Sequence, residues 1–228
     1  VDHLPCLHTG LLYETYQLFA EYGAMSTVHA ENYEIQEYLI NKMKNEGRQD
    51  PLAHAQASSV LAELEAVSRA ILLAKETGSP LHVFHVSSGK TAQVIKEAKQ
   101  KGAVVTAETC PHYLAVTQED MKRLGPLLQV TPSIKHEEDK AVLWESLQDG
   151  TIDILTSDHY APLKAEKEPG WGNIWLIEGG IPGIQTRNLY LMDQGVGTGK
   201  LSLTQFVELT ATKPAKICGL YPRKGIIG

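Results

Sequence analysis

The sequence runs to 228 residues, is 43% hydrophobic, and sets 21 basic against 27 acidic residues for a formal net charge of −6. That apolar content suffices for one substantial core, and without a dense Lys/Arg run the chain has no electrostatic footprint for a polyanion, so nucleic acid is not an expected partner. No apolar run reaches the roughly 18 residues that suggest a membrane span, and the opening Val1-Asp2-His3-Leu4-Pro5 lacks the layout of a signal peptide, so the expectation is a soluble cytoplasmic protein with no membrane partner.

Taken in order, an amphipathic stretch from Leu11 to Tyr22 closed by Gly23 predicts a helix, and Met25 to Val28 a strand. Tyr33 to Glu46 and Ala55 to Thr77 predict helices, Gly78-Ser79-Pro80 breaks the chain, and Leu81 to Val86 predicts a buried strand. A helix from Lys90 to Lys101, a strand from Ala103 to Thr109, a helix around His136 to Gln148 stopped by Gly150 and a strand from Ile152 to Thr156 follow. Two late helices are expected near Gly183 to Met192 and Leu203 to Thr210. Strands separated by helices of ten or more residues need crossover connections, so the class is α/β with a parallel sheet. Pattern alone leaves an open doubly wound sheet and a closed barrel both standing, although neither a GxGxxG nor a GxxxxGK[ST] follows any strand. Cys6, Cys110 and Cys218 are scattered without CxxC spacing and are expected as small core residues.

In parallel α/β folds ligands bind at the carboxyl ends of the strands. Here those ends carry Val28-His29-Ala30-Glu31-Asn32, His85-Val86-Ser87-Ser88-Gly89, Glu108-Thr109-Cys110-Pro111-His112 and Thr156-Ser157-Asp158-His159. Imidazole nitrogen and carboxylate oxygen suit zinc and similar ions, which makes His29, His85 and Asp158 a plausible metal set. A single strand-end histidine is more often a hydrogen-bonded structural residue; two histidines and an aspartate together on strand ends of one sheet are harder to dismiss. His82, at an odd offset from His85, should face the other side of the sheet and be structural. His8, His54 and His136 read as solvated surface residues. Glu31 is either a partner that fixes the tautomer of a ligating histidine or a helix-start carboxylate, and Glu108 divides the same way.

These motifs resemble the cyclic amidohydrolases, the family of hydantoinases, dihydropyrimidinases, allantoinases and dihydroorotases. VHAEN at Val28 to Asn32, HVSSGK at His85 to Lys90, ETCPHYL at Glu108 to Leu114, SDH at Ser157 to His159 and the stretch Thr210 to Gly225 stand in the family order. The resemblance implies a (β/α)8 TIM-type barrel, present here as its C-terminal half: residues 1–218 as strands five to eight with their helices, and residues 219–228 as the start of a linker toward a β-sandwich. It also implies a divalent metal centre, two zinc ions per complete chain, bridged by hydroxide and by a carboxylated lysine expected upstream. On that map His29 and His85 hold one metal, while Asp158 holds the other and acts as general base and then general acid. Thr131, Pro132 and Ser133 contact the ring amide of a small cyclic amide substrate, while Gly179, Gly180 and Gly183, in the loop after the last strand, serve close packing ahead of substrate approach. A homo-oligomer, dimer or tetramer, is the expected assembly.

The chain departs from the family pattern by starting before the fifth strand, so the HxH pair, the bridging lysine and an oxyanion-facing tyrosine have no counterparts in it. A half barrel would expose two strand edges and core surface, so either more chain or self-association is expected to cover them. Near Thr131 and Pro162 the residues that dihydroorotases use for a ring carboxylate are missing, which favours a hydantoin, a dihydropyrimidine or allantoin as substrate and leaves dihydroorotate as the alternative. A non-catalytic scaffold related to dihydropyrimidinase is the alternative of another class, and retention of His29, His85 and Asp158 argues against it.

Overall fold

The computed structural model describes residues 6–226. The elements that position the candidate site are, in chain order, α1 Thr9–Glu21, β1 Ser26–Val28, α2 Tyr33–Asn45, α3 Pro51–Ala57, α4 Val60–Thr77, β2 Leu81–Val83, α5 Gly89–Gln100, β3 Val105–Thr109, α6 Pro111–Ala115, α7 Met121–Leu124, α8 Glu137–Asp149 and β4 Ile154–Leu155. The helices begin where side chains can satisfy orphan backbone N–H groups. His8, Asn32, Asp50, Ser59 and Ser88 each accept from the first turn of α1 to α5. α4 and α8 end on Gly78 and Gly150 in the left-handed region, the residue type that adopts it without a steric penalty. Among the described residues no helix is long and apolar enough to cross a membrane.

The sheet is parallel throughout, in the order β1-β2-β3-β4. Strand order therefore follows chain order with no reversal, and α1 packs on α4, α4 on α5, and α5 on α8, which puts these helices in one sequential layer. A doubly wound sheet reverses its strand order; among the described residues this one does not, and it matches the winding of a barrel wall. The choice left open by sequence pattern falls to the barrel. Among the described residues β1 and β4 each have a single strand neighbour, so each has an unpaired edge.

Strand parity divides the sheet into two faces. Leu81 and Val83 of β2 stand opposite Val105 and Ala107 of β3, and with Leu155 they pack against Val67, Ala70 and Ile71 of α4, Ala92 and Ile95 of α5, and Leu143 and Leu147 of α8 in one core cluster. The other face carries the aligned row Thr27, His82 and Thr106, and His82 is buried there between Thr106 Oγ1 at 2.8 Å and Glu108 Oε2 at 3.1 Å. His82 thus spends both ring nitrogens on side chains of β3.

Several boundaries differ from the sequence reading. The long helix expected from Ala55 to Thr77 is two helices, because Ser59 caps a new one and Ser58 leaves the helical path. β2 ends at Val83 rather than Val86, since His85 turns to a φ of +36°. The late helices Ile184–Tyr190 and Leu203–Val207 continue as wider π-type turns, Leu191–Gly197 and Glu208–Thr212. Of the cysteines, Cys110 is buried as expected, but Cys6 and Cys218 are exposed, each lying near an end of the described chain where little packs over it.

Candidate metal and substrate site

His29 and His85 leave the ends of β1 and β2 and meet. Nδ1 of His29 lies 2.8 Å from Nε2 of His85, with the rings edge to face at 4.6 Å between centroids. On its far side His29 Nε2 is 3.1 Å from Glu31 Oε2, and Glu31 Oε1 accepts from the Ser58 hydroxyl at 2.6 Å. A carboxylate only accepts, so Nε2 of His29 carries a proton toward Glu31 and its Nδ1 is left to face His85 Nε2. Glu31 is therefore the partner that fixes the His29 tautomer, and Asn32, not Glu31, caps α2. Burial pushes the Glu31 carboxyl upward, but the hydrogen bond and charge of His29, then Lys135 and Ser58, hold it below the ordinary range.

His85 is buried, and its Nδ1 has no partner among the described residues. Burial, reinforced by the charge of His29, pushes its pKa down to about 3, so the ring is neutral at physiological pH, the protonation state a metal ligand requires. The side chain of His29 remains 39% exposed, so the pair opens to one side. The turn that carries His85 is clamped from behind: Glu63 of α4, a buried carboxylate, accepts from the Ser87 and Ser88 backbone N–H groups at 3.1 and 3.4 Å and from the Ser87 hydroxyl. Burial raises the pKa of Glu63. Sequence reasoning gave Glu63 no role.

Asp158 follows β4 with a φ of +42°, a conformation that aspartate tolerates better than most residues. Burial and then the charge of Glu108 raise its pKa, while the charge of His29 opposes the shift. Its carboxylate gathers with the Cys110 thiol and a His112 nitrogen, each offering one ligand atom within 4.8 Å of the others, and this is the set of three such donors found among the described residues. His29 and His85 thus pair with each other, and Asp158 joins a neighbouring group. Cys110 and His112 lie in the ETCPHYL motif, but sequence reasoning gave neither a site role. His112 is buried, its Nε2 lacks a partner among the described residues, and burial lowers its pKa to about 3.

Of the substrate segment, Pro132 and Ser133 are buried and spend their polar groups internally. The Tyr113 hydroxyl donates to Pro132 O at 2.7 Å, the Ser133 amide donates to Ser58 Oγ at 2.9 Å, and the Ser133 hydroxyl approaches Ala55 O and Ser58 O at 3.0 and 2.9 Å. Thr131 is partly exposed and lines a cavity with Ser58, Gln129, His54, Trp175 and Gly179. Lys167 holds the loops on either side by donating to Gln129 O and Glu178 O, both at 3.1 Å. Close packing is the use of Gly183, where an added Cβ would stand 2.6 Å from Ser157 O, directly before Asp158.

Of the three histidines expected at the surface, His8 and His136 are exposed at helix starts, but His54 is half-buried. It lies in α3 under Trp175, its Nδ1 is buried without a partner among the described residues, and burial depresses its pKa to about 4. The helix containing it packs inward because Ala53, Ala55 and Ala57 are buried on the same short element.

Comparison with known proteins gives the family. Residues 9–228 match the Amidohydrolase family. The L-hydantoinase of Paenarthrobacter aurescens is 39% identical over 218 residues, covering 96% of this chain and 48% of that protein, and the allantoinase of Deinococcus radiodurans is 36% identical over 226 residues, covering 99% and 50%. Among solved structures, the L-hydantoinase (dihydropyrimidinase) from Arthrobacter aurescens superposes with a TM-score of 0.95 at 38% identity over 99% of this chain and 50% of that one, and the dihydropyrimidinase from Brevibacillus agri with 0.95 at 35% identity over 100% and 50%. The chain spans about half the length of the relatives it matches. Sequential parallel strands, polar groups at their carboxyl ends and a match along almost the whole length lead to one conclusion: this chain belongs to the amidohydrolase family, in the cyclic-amide branch that includes the hydantoinases and allantoinases.

Proposed function

We propose that this chain supplies half of the catalytic barrel of a metal-dependent cyclic amidohydrolase that opens a ring amide, with residues 1–218 as barrel and 219–228 leading out of it. The observation that carries the reading is the pair of imidazoles held nitrogen to nitrogen at 2.8 Å, one fixed by a buried carboxylate and the other kept neutral by burial. Two imidazole nitrogens this close, one ring oriented by a buried carboxylate, would suit a divalent cation, zinc foremost. His29 and His85 would hold one cation and Asp158 the second. Such ions polarise the ring carbonyl and bring the pKa of water toward neutrality when bound.

The chain's own groups do the rest. Glu31 keeps the His29 lone pair directed at the site, and the Glu63 clamp keeps His85 in its turn. Thr131 to Ser133 present the ring amide, with Thr131 at the cavity and Pro132 and Ser133 setting its position. Asp158 takes the proton of the attacking water as its oxygen bonds to the carbonyl carbon, then returns that proton to the ring nitrogen as the C–N bond breaks. A carboxylate raised by burial is suited to carry a proton in both directions. A hydantoin, a dihydropyrimidine or allantoin is the substrate class, and a dimer or tetramer the assembly. Ring-opening assays on the complete protein with hydantoin, dihydrouracil, allantoin and dihydroorotate test the reading: turnover of one of the first three is expected, and turnover of dihydroorotate alone would overturn the substrate class.

A further inference from the structure

Behind the two rim regions of the site lies a continuous buried hydrogen-bonded path that joins them. It runs from His29 Nε2 to Glu31 Oε2 at 3.1 Å, from Glu31 Oε1 to the Ser58 hydroxyl at 2.6 Å, and from Ser58 Oγ to the Ser133 amide at 2.9 Å. Ser58 stands at its centre and uses every polar group it has. The hydroxyl donates to Glu31 and accepts from Ser133, its N–H donates to His54 O at 3.0 Å, and its carbonyl accepts from the Ser133 hydroxyl at 2.9 Å and from Lys135 Nζ at 2.6 Å. Lys135 Nζ also donates to the Ser133 hydroxyl at 2.8 Å, closing a ring of bonds. Glu31, Ser58, Ser133 and Lys135 are all buried. The path crosses from the end of β1 to the segment after α7 through the two-residue break between α3 and α4. A break whose only purpose was to turn the chain would not need its first residue bonded in both directions.

We infer that Ser58 is a positioning residue that locks the Thr131–Ser133 segment to the carboxylate orienting His29, so that occupancy of the His29/His85 site by a divalent cation and the seating of the substrate segment are coupled. The inference rests on the metal reading above and deepens it. Buried in low dielectric, each bond in the chain depends on its neighbours, and loss of the central hydroxyl leaves a carboxylate oxygen and a backbone N–H without their partner. A shift of His29 on cation binding would draw on Glu31 and reach Ser133 through one hydroxyl.

Hydrogen exchange on the complete protein tests this, with Zn2+ alone as the probe. In the wild type, saturating Zn2+ is expected to raise the protection of the Ser133 amide about tenfold, a size typical of coupling between sites. In Ser58→Ala the gain should vanish, with Zn2+ affinity reduced and the KM for hydantoin raised more than kcat is lowered; Ser58→Thr, which keeps the hydroxyl, should recover it. If Ser58→Ala does not fold, Glu31→Gln interrupts the same path and should abolish the gain equally. An equal Zn2+ response at Ser133 in wild type and variant, or a wild type that binds Zn2+ with unchanged protection there, would overturn the coupling alone. A wild type that takes up no Zn2+ would overturn the metal reading and the coupling together.

Discussion

The two faces of the sheet are built on different principles. The face under α4, α5 and α8 is apolar and close-packed around Val83, Ile95, Ala107 and Leu155, whereas the opposite face and the strand-end rim carry His82, Glu108, His29, His85 and Asp158, with His82 bonded to Glu108 and His29 to His85. Packing energy on the first face is collective and tolerant of chemistry, and it depends on volume. On the second, each group depends on a particular partner, and two buried nitrogens, His85 Nδ1 and His112 Nε2, have none among the described residues. The stability of the chain and its chemistry should therefore respond to different substitutions.

The largest effect should come from the rim. Asp158→Asn in the complete protein keeps size and tolerates the positive φ, so the thermal midpoint should hardly move while kcat for ring opening falls about 10³-fold, within the range of general acid–base groups; retention of more than a tenth of the activity would remove Asp158 from the proton path. On the packed face the reverse is expected. Leu155→Ala, at a position with no exposure, should cost about 2–5 kcal/mol in denaturant unfolding while KM stays within about twofold, and a large KM change would show that the two faces are not independent.

Smaller effects sharpen the division. Glu31→Gln weakens the hold on His29 and should lower divalent-metal affinity about 10–100-fold, measured by competition with a chromogenic chelator; unchanged affinity would reduce Glu31 to a structural role. Acid sensitivity should trace to buried histidines. His54, with its pKa depressed to about 4, stays neutral in the folded chain while the unfolded chain takes up its proton below about 6.5, so stability is lost as pH falls through that window, at up to about 1.4 kcal/mol per pH unit. His54→Gln should flatten the fall in thermal midpoint between pH 6.5 and 4, and an unaltered slope would place the acid sensitivity elsewhere.

Much of the first face was legible from sequence because periodicity records packing directly: Leu81 to Val83, Val105 to Thr109 and the helices α1, α2, α5 and α8 fall within a few residues of expectation. The rim was legible only as a set of residue types at strand ends. That His29 meets His85 depends on a left-handed turn at His85 that no alternation of residues announces. Ser58 and Glu63 were hidden for a related reason, since a serine in an apolar helical stretch and a glutamate at helical spacing look solvated until tertiary structure buries them. The signal that could have found the break at Ser58 was Ser59 before Val60 with the acidic Glu63 in the first turn, the pattern of a helix start. His54 was misplaced because burial of a short helix depends on what lies above it, here Trp175, far away in sequence.

The account turns on the imidazole pair as a cation site. Metal analysis of the complete protein, purified without chelator, should find about two divalent cations per chain, and His29→Ala or His85→Ala should lose about one of them with ring opening abolished. Wild-type protein free of divalent metal, or alanine variants that retain the full complement, would contradict it.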